Sequence, residues 1–88
     1  MQVEFLERFH KDLDKIQVAH VKEVVRKTIL KVESANSLSE LTNLKKLSGH
    51  KHAYRIKIGD YRIGLYIENS IVEFARVIHR KDIYNVFP

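Results

Sequence analysis

Cysteine and tryptophan are absent from the sequence, and proline and glycine are rare, with one and three residues respectively. The lack of cysteine excludes disulfide bonds and thiolate metal sites, and it fits a reducing compartment, which we expect to be the cytoplasm. Charged residues such as Glu4, Glu7 and Arg8 interrupt the first apolar residues, so no secretory signal is predicted. No later apolar stretch approaches membrane-spanning length, so we expect no membrane partner. The 88 residues are expected to form one domain, residues 1–88, with a modest core.

Acidic residues are scarce in the second half of the chain. Residues 1–44 hold seven Lys and Arg against seven Asp and Glu, whereas residues 45–88 hold nine basic residues against four acids. The densest part, residues 45–62, has six basic residues and one acid. This asymmetry predicts a surface that binds a polyanion, most often a nucleic acid, although a solvated basic face is the common alternative.

The first 34 residues show apolar side chains at helical spacing. One pattern comprises Phe5, Phe9, Leu13 and Ile16, and a second comprises Val18, Val21, Val25, Ile29 and Val32. No proline or glycine separates them, so one bent helix and a helical hairpin both remain open. We predict the hairpin, because a single helix of about 28 residues would outrun so small a domain. Further on, Ser37 and Glu40 have the spacing of a capping box that opens a short helical turn.

The second half changes to the alternating period of β-strands. Tyr54–Ile58 and Tyr61–Glu68 are predicted as two strands joined by the tight turn Gly59–Asp60. A third strand, Ile71–Ile78, is apolar on both faces and is therefore expected to lie inside the sheet. Gln2–Phe5 alternates weakly and could form a short opening strand.

Helices followed by strands predict an α+β fold, in which an N-terminal helical hairpin packs on one face of a small antiparallel-type β-sheet. The alternation directs the isoleucines of the first two long strands towards the helices. The side chains on the opposite face are then Arg55, Lys57, Arg62 and Tyr66. We expect that face to be exposed.

Three cations on one sheet face repel one another, and a bound phosphate would remove that cost. RNA is a polyanion that such a cluster could cut unaided, because the ribose 2′-hydroxyl is an internal nucleophile. Arginine binds phosphate oxygens bidentately, and Lys57 is the candidate general base. His79 and Tyr84 are candidate acids if the C-terminal segment folds back over the sheet. In the alternative interpretation, Arg-x-Lys is simply the solvent-exposed face of an alternating strand.

Other kinds of site are not predicted. The sequence has no Gly-rich phosphate loop and no nucleophile elbow. We expect no metal and no other cofactor, because the histidines do not pair with acids at metal-ligand spacing; they are His10, His20, His50, His52 and His79.

Three segments, KLSG at 46–49, YRIKIGDYRI at 54–63 and HRKDIY at 79–84, together resemble the RelE/ParE superfamily of toxin–antitoxin toxins. The resemblance covers nearly the whole chain and implies a partner antitoxin that wraps the toxin and blocks it. In the messenger-RNA-cleaving branch, mRNA is cut in the ribosomal A site by basic residues and a C-terminal tyrosine. Carried over to this chain, that catalytic pattern falls on Arg55, Lys57, Arg62, Arg80 and Tyr84.

The resemblance also implies roles for the neighbouring residues. Arg80 would hold the scissile phosphate, and Tyr84 would stack on a base or assist proton transfer. The first strand position is often lysine in the nuclease branch and is Arg55 here, which leaves Lys57 as the lysine base. Further RNA contacts are expected from Lys45, Lys46, Lys51, His79 and Lys81.

Two other functions share the same fold. The ParE branch of the superfamily inhibits DNA gyrase by binding, without a catalytic set, so gyrase is the alternative partner. An inactive member that only buffers the antitoxin is the third interpretation of the sequence.

Overall fold

A computed structural model describes residues 1–88 and shows five strands and three α-helices. A 3₁₀ turn at Leu38–Glu40 lies between the second helix and the second strand. In chain order the elements are β1 Gln2–Phe5, α1 Glu7–Lys15, α2 Ala19–Ser34, β2 Leu44–Lys46, β3 Ala53–Ile58, β4 Tyr61–Glu68, β5 Ile71–His79 and α3 Ile83–Val86. None of the helices combines the length and the apolar character needed to cross a membrane.

The five strands form one mixed sheet in the order β1-β5-β4-β3-β2. β1 pairs parallel to β5 at one edge, and every other neighbouring pair is antiparallel. The predicted opening strand and the three long strands are confirmed, and β5 lies inside the sheet as expected. The edge strand β2 was not predicted, because three residues are too few to establish an alternating pattern.

The N-terminal helical segment is divided, as the hairpin prediction requires. α1 ends at Lys15, and the next residue, Ile16, has an extended backbone with ψ 121°. Val18, which precedes α2, is also extended, with ψ 108°. Ile16 is also buried, at 5% exposure, so the chain leaves the helix where this side chain enters the core. The break therefore coincides with a buried apolar side chain, and no proline or glycine lies at it.

The main core lies between the two long helices and one face of the sheet. Phe9 of α1 and Val25 and Val32 of α2 pack with inward residues of the central strands, which include Ile56, Ile63, Leu65, Ile67, Val72, Phe74 and Val77. The alternation of β3 and β4 thus places their isoleucines against the helices as predicted. This face supplies most of the apolar burial and so most of the stability of the fold.

The opposite face of the sheet is partly covered, contrary to the expectation that it would be exposed. A second, smaller apolar cluster contains Ala53 and Ala75 of the sheet together with Ile83 and Phe87. Ile83 belongs to α3, a helix of only four residues that was not predicted. The C-terminal segment therefore folds back over the end of the sheet face that carries the basic residues.

An ion pair between α1 and β5 ties the helical layer to the sheet. Asp12 is 9% exposed, and its carboxylate accepts hydrogen bonds from Arg76 Nε at 2.7 Å and Nη2 at 3.0 Å. The same carboxylate accepts the backbone N–H of Val77 at 3.1 Å. The hydrogen bonding to Asp12 raises the pKa of Arg76 further above its already high value, so the arginine stays charged. The pair satisfies both charges in a place where water is largely excluded.

We predict that Asp12→Ala lowers the free energy of unfolding by about 3 kcal/mol, because it leaves the Arg76 guanidinium partly buried without its partner. Urea denaturation of the purified chain, followed by circular dichroism, measures the change.

Glu23→Ala is the matched control. Glu23 forms an exposed pair with Arg26 at 2.6 Å, and the hydrogen bonds from Arg26 lower the pKa of the Glu23 carboxyl. Its removal should leave the denaturation midpoint almost unchanged, because exposed pairs are weak. Equal losses in the two variants would show that burial of the Asp12 pair does not matter.

Candidate nucleic-acid interface

Pairing of the strands places several of the predicted cations side by side. In register, Lys45 of β2 lies beside Arg55 of β3, and Lys57 of β3 lies beside Arg62 of β4. Residues opposite one another on neighbouring strands point to the same face, so these four side chains share the face that the long helices leave free. The structure thus brings together the strand residues of the predicted cluster.

Arg55 is joined to the C-terminal segment through Tyr84. Its Nη1 donates a hydrogen bond to the Tyr84 hydroxyl at 2.9 Å, and its guanidinium carbon lies 5.4 Å from the centre of the tyrosine ring. Tyr84 itself is 74% exposed, whereas Ile83 beside it is buried at 2%. The short helix is therefore anchored by one face and presents the tyrosine to solvent next to Arg55.

Phe87 fixes this arrangement by packing on Gly64. A Cβ at Gly64 would lie 2.7 Å from atoms of the Phe87 ring, which is closer than carbon atoms can approach. Phe87 also packs against Tyr66, with ring centres 5.1 Å apart. Gly64 is the β4 partner of Arg55. The absence of a side chain at this position thus makes the space in which the C-terminal segment docks.

Lys57 and Arg62 lie nearer the turn between β3 and β4. Arg62 Nη1 donates hydrogen bonds to the carbonyl of Gly59 at 2.7 Å and to the carbonyl of Tyr61 at 2.9 Å. Lys57 is exposed and forms no ion pair. Part of the donor capacity of Arg62 is therefore taken by the turn, and Lys57 is free to meet a ligand.

His79, the last residue of β5, and Arg80, which follows it, contact the turn between β3 and β4 and the first residue of β4. Arg80 donates its backbone N–H to the carbonyl of Asp60 at 2.8 Å, and its Nε lies 3.7 Å from the Asp60 carboxylate. His79 packs edge-on against Tyr61, with ring centres 5.5 Å apart. Because Tyr61 packs on the main core, His79 lies on the helix-covered face of the sheet. Its Nδ1 accepts the backbone N–H of Lys81 at 3.2 Å.

A shallow cavity of about 280 Å³ adjoins the contact between Arg55 and Tyr84. Its walls come from the loop between β2 and β3, from β3 and from the C-terminal segment. They comprise Leu47, Ser48, His50, Arg55, Ile83, Tyr84, Phe87 and Pro88. The same loop, with Lys46 and Lys51, borders a second concavity that also includes His50. His50 was considered in the sequence only as a metal ligand, so this placement was missed.

The arrangement is suited to binding phosphate rather than a metal ion. No group of three or more histidine, cysteine or carboxylate side chains is close enough to hold a metal. The shared face offers Lys45, Arg55, Lys57 and Arg62, and the one acid near its turn, Asp60, is directed to Arg80. Such a surface attracts the backbone of a nucleic acid through charge and through the guanidinium fork.

Known proteins resemble this chain in both sequence and fold. The family described as ParE toxin of type II toxin-antitoxin system, parDE, matches residues 3–84. The chain is 38% identical over 89 positions to Toxin RelE3 of Methanocaldococcus jannaschii, and the match covers 100% of each. It superposes on a chain of the RelB-RelE antitoxin-toxin complex from Methanococcus jannaschii with a TM-score of 0.83, at 35% identity and with 97% and 99% of the two chains covered.

A more distant relative supports the fold alone. A chain of the intact E. coli RelBE toxin-antitoxin complex superposes with a TM-score of 0.69 at 24% identity, and the match covers 89% of this chain and 94% of that one.

We predict that Gly64→Ala displaces the C-terminal segment, because the added methyl group occupies the space of the Phe87 ring. Hydrogen exchange of the backbone amides in residues 83–87 should accelerate, and stability should fall by about 1 to 3 kcal/mol, as for other overpacked sites. In a Phe87→Ala background the same methyl group should add little further change, since the ring that it meets is gone. Additive effects of the two substitutions would contradict the proposed contact.

Proposed function

We propose that this chain, which belongs to the RelE/ParE superfamily of toxins of type II toxin–antitoxin systems, is an endoribonuclease. It would cut mRNA in the ribosomal A site without a metal ion. The observation that carries the proposal is the cationic sheet face on which Arg55, Lys57 and Tyr84 lie together, open to solvent. A toxin that acted only by binding would have no need of a potential base and a tyrosine beside the same arginine.

Arg55 is the proposed phosphate ligand. Only its Nη1 is used by Tyr84, so the other donors of the guanidinium are free for the nonbridging oxygens of a phosphodiester. Lys45 at its side and Arg62 on the next strand add positive charge as the phosphorane forms. Stabilising this extra negative charge is the main task in a reaction whose nucleophile is already part of the substrate.

Lys57 is the proposed general base. In its neutral form the amine accepts the proton of the ribose 2′-hydroxyl, and the 2′-oxygen then attacks the phosphorus. The P–O5′ bond breaks, which leaves a 2′,3′-cyclic phosphate on one fragment and a 5′-hydroxyl on the other. Tyr84 would stack its exposed ring on a base of the codon, which orients the reacting phosphate in the cluster. Arg80, near the turn, would contact the RNA backbone farther along.

A cognate antitoxin is the proposed protein partner, because structures of similar chains are of RelB–RelE complexes. Two grooves of about 290 and 350 Å³ run between α2 and the β3–β4 turn, and apolar side chains line them, among them Val18, Val21, Val24, Ile56 and Ile58. Val18 is 53% exposed. An amphipathic antitoxin helix would cover these side chains, while an acidic segment would neutralise the cationic face. The bound toxin is then more stable than the free toxin by mass action.

Inhibition of DNA gyrase is the second candidate function, since the matching family carries the ParE name. The same cationic face could meet an acidic surface of gyrase without any cleavage. The two functions differ in what they require of Lys57, which a gyrase inhibitor needs only as a charge and a nuclease needs as a base.

We predict that Lys57→Ala lowers mRNA cleavage by about 100-fold or more, the usual loss when a general base is removed. Arg55→Ala should lower it by a similar ~100-fold factor because a donor to the phosphorane is lost. Primer extension on mRNA from cells that briefly express each variant measures new 5′ ends inside translated codons.

Lys57→Arg and Lys22→Ala are the matched controls. Lys57→Arg keeps the charge but removes the base, whereas Lys22 is an exposed lysine of α2, remote from the cationic face. Activity should be lost in the first and retained in the second. Intact mRNA together with growth arrest and trapped gyrase would overturn the nuclease and leave the gyrase inhibitor.

A further inference from the structure

We propose that His50 is the general acid of this cleavage, which donates the proton of its imidazolium to the 5′-oxygen as that oxygen leaves. The inference rests on the proposed ribonuclease function and adds to it the residue that completes the proton transfers. None of the residues of the family pattern is a histidine, and His50 lies outside that pattern.

The position of His50 supports this role. It belongs to the loop that joins β2 to β3, and it lines the cavity of about 280 Å³ together with Arg55 and Tyr84. The side chain is exposed and takes part in no hydrogen bond or ion pair, so both ring nitrogens are free to meet a ligand. A phosphate held by Arg55 would therefore have an unengaged imidazole at its side.

The four other histidines are engaged in contacts or lie elsewhere in the fold. His20 lies at the start of α2, in the helical layer. His79 packs against Tyr61 on the helix-covered face, and its Nδ1 accepts a hydrogen bond from Lys81. His52 lies 3.6 Å from the Glu68 carboxylate. His10 packs on Phe5, with ring centres 5.4 Å apart, at the other end of the sheet. His50 is thus the histidine that the fold brings to the cationic face.

Proton transfer at both oxygens requires two groups on opposite sides of the phosphorus, because the attacking and leaving oxygens lie in line. Along β3 the loop with His50 comes before Arg55, and Lys57 comes two residues after it, which is about 7 Å farther. Lys57 and the loop that carries His50 therefore lie on opposite sides of Arg55 along the strand direction. With Arg55 on the phosphate, Lys57 is placed at the 2′-oxygen and His50 at the 5′-oxygen.

The side chains around His50 attract a phosphate group. Lys46 of β2, Lys51 of the same loop, Arg55 of β3 and Tyr84 of α3 are the charged and titratable groups that line the two concavities at His50. The three cations attract a phosphodiester to this region. Among the side-chain types present, histidine is the one that commonly changes its protonation near neutral pH.

The step is balanced. The 2′-hydroxyl proton passes to the neutral amine of Lys57, the O2′–P bond forms, the P–O5′ bond breaks, and the imidazolium of His50 gives its proton to O5′. The products are a cyclic phosphate, a 5′-hydroxyl, a protonated Lys57 and a neutral His50. No oxidant, metal or further reactant is needed.

The test uses a leaving group that does not need an acid. Ribosomes are programmed with a short mRNA whose A-site codon contains one 5′-bridging phosphorothiolate, so that sulfur replaces the leaving oxygen, and the matched all-oxygen mRNA is cut in parallel. With the oxygen substrate, His50→Gln should slow single-turnover cleavage by about 100-fold or more, as expected for loss of a general acid. With the sulfur substrate the same variant should cleave almost as fast as the unaltered chain.

Two controls separate the possible roles. Lys57→Ala should stay slow on both substrates, because a better leaving group does not replace a base. His20→Gln, a substitution of an exposed histidine at the start of α2, should behave as the unaltered chain on both. Equal cleavage of the oxygen substrate by His50→Gln and by the unaltered chain, or a loss that sulfur does not restore, would overturn the assignment of His50. No cleavage of either substrate by the unaltered chain would overturn the nuclease itself, and the assignment with it.

Discussion

The contact between Phe87 and Gly64 is the constraint on which the candidate site depends. Gly64 lies in the row between Arg55 on β3 and Arg76 on β5, and it carries no side chain. The space that results accepts the Phe87 ring, and the ring holds α3 and Tyr84 over Arg55. On the other side of the row, Arg76 turns to the buried Asp12 of α1. One glycine thus lies between an arginine that stabilises the fold and an arginine that is free to bind a ligand.

The sequence was sufficient for those parts of the fold that local periodicity controls. The alternation of apolar and polar residues predicted β3 and β4 and the face to which each side chain points. It therefore predicted that Arg55, Lys57 and Arg62 share one face. Helical spacing predicted α1 and α2, but it did not mark the break at Ile16, where the backbone becomes extended. β2 and α3 are too short to produce a recognisable sequence pattern. β2 pairs with β3, and the segment that contains α3 docks where Gly64 leaves space for Phe87.

Long-range contacts account for what was missed at the site. The pair of Asp12 with Arg76 joins residues 64 positions apart, and nothing in either neighbourhood marks it. Placing His79 requires counting the alternation along β5 through an irregularity of register near Gly64 and Leu65, which shifts the facing of later residues. His50 is a further example, since its loop and the C-terminal segment are far apart in the sequence and line one cavity.

The order of the strands in the sheet determines when the site can form during folding. β1 pairs with β5, and Asp12 of α1 reaches Arg76 on that same strand, so the first two elements of the fold pack on a strand that follows them by more than 50 residues. Closing loops of this length makes such contacts late events in folding. α3 follows β5 directly, and its tyrosine meets Arg55 only once the sheet has assembled. A nascent or partly folded chain would therefore contain the basic residues without their arrangement at the site. The site would form only after the sheet has assembled.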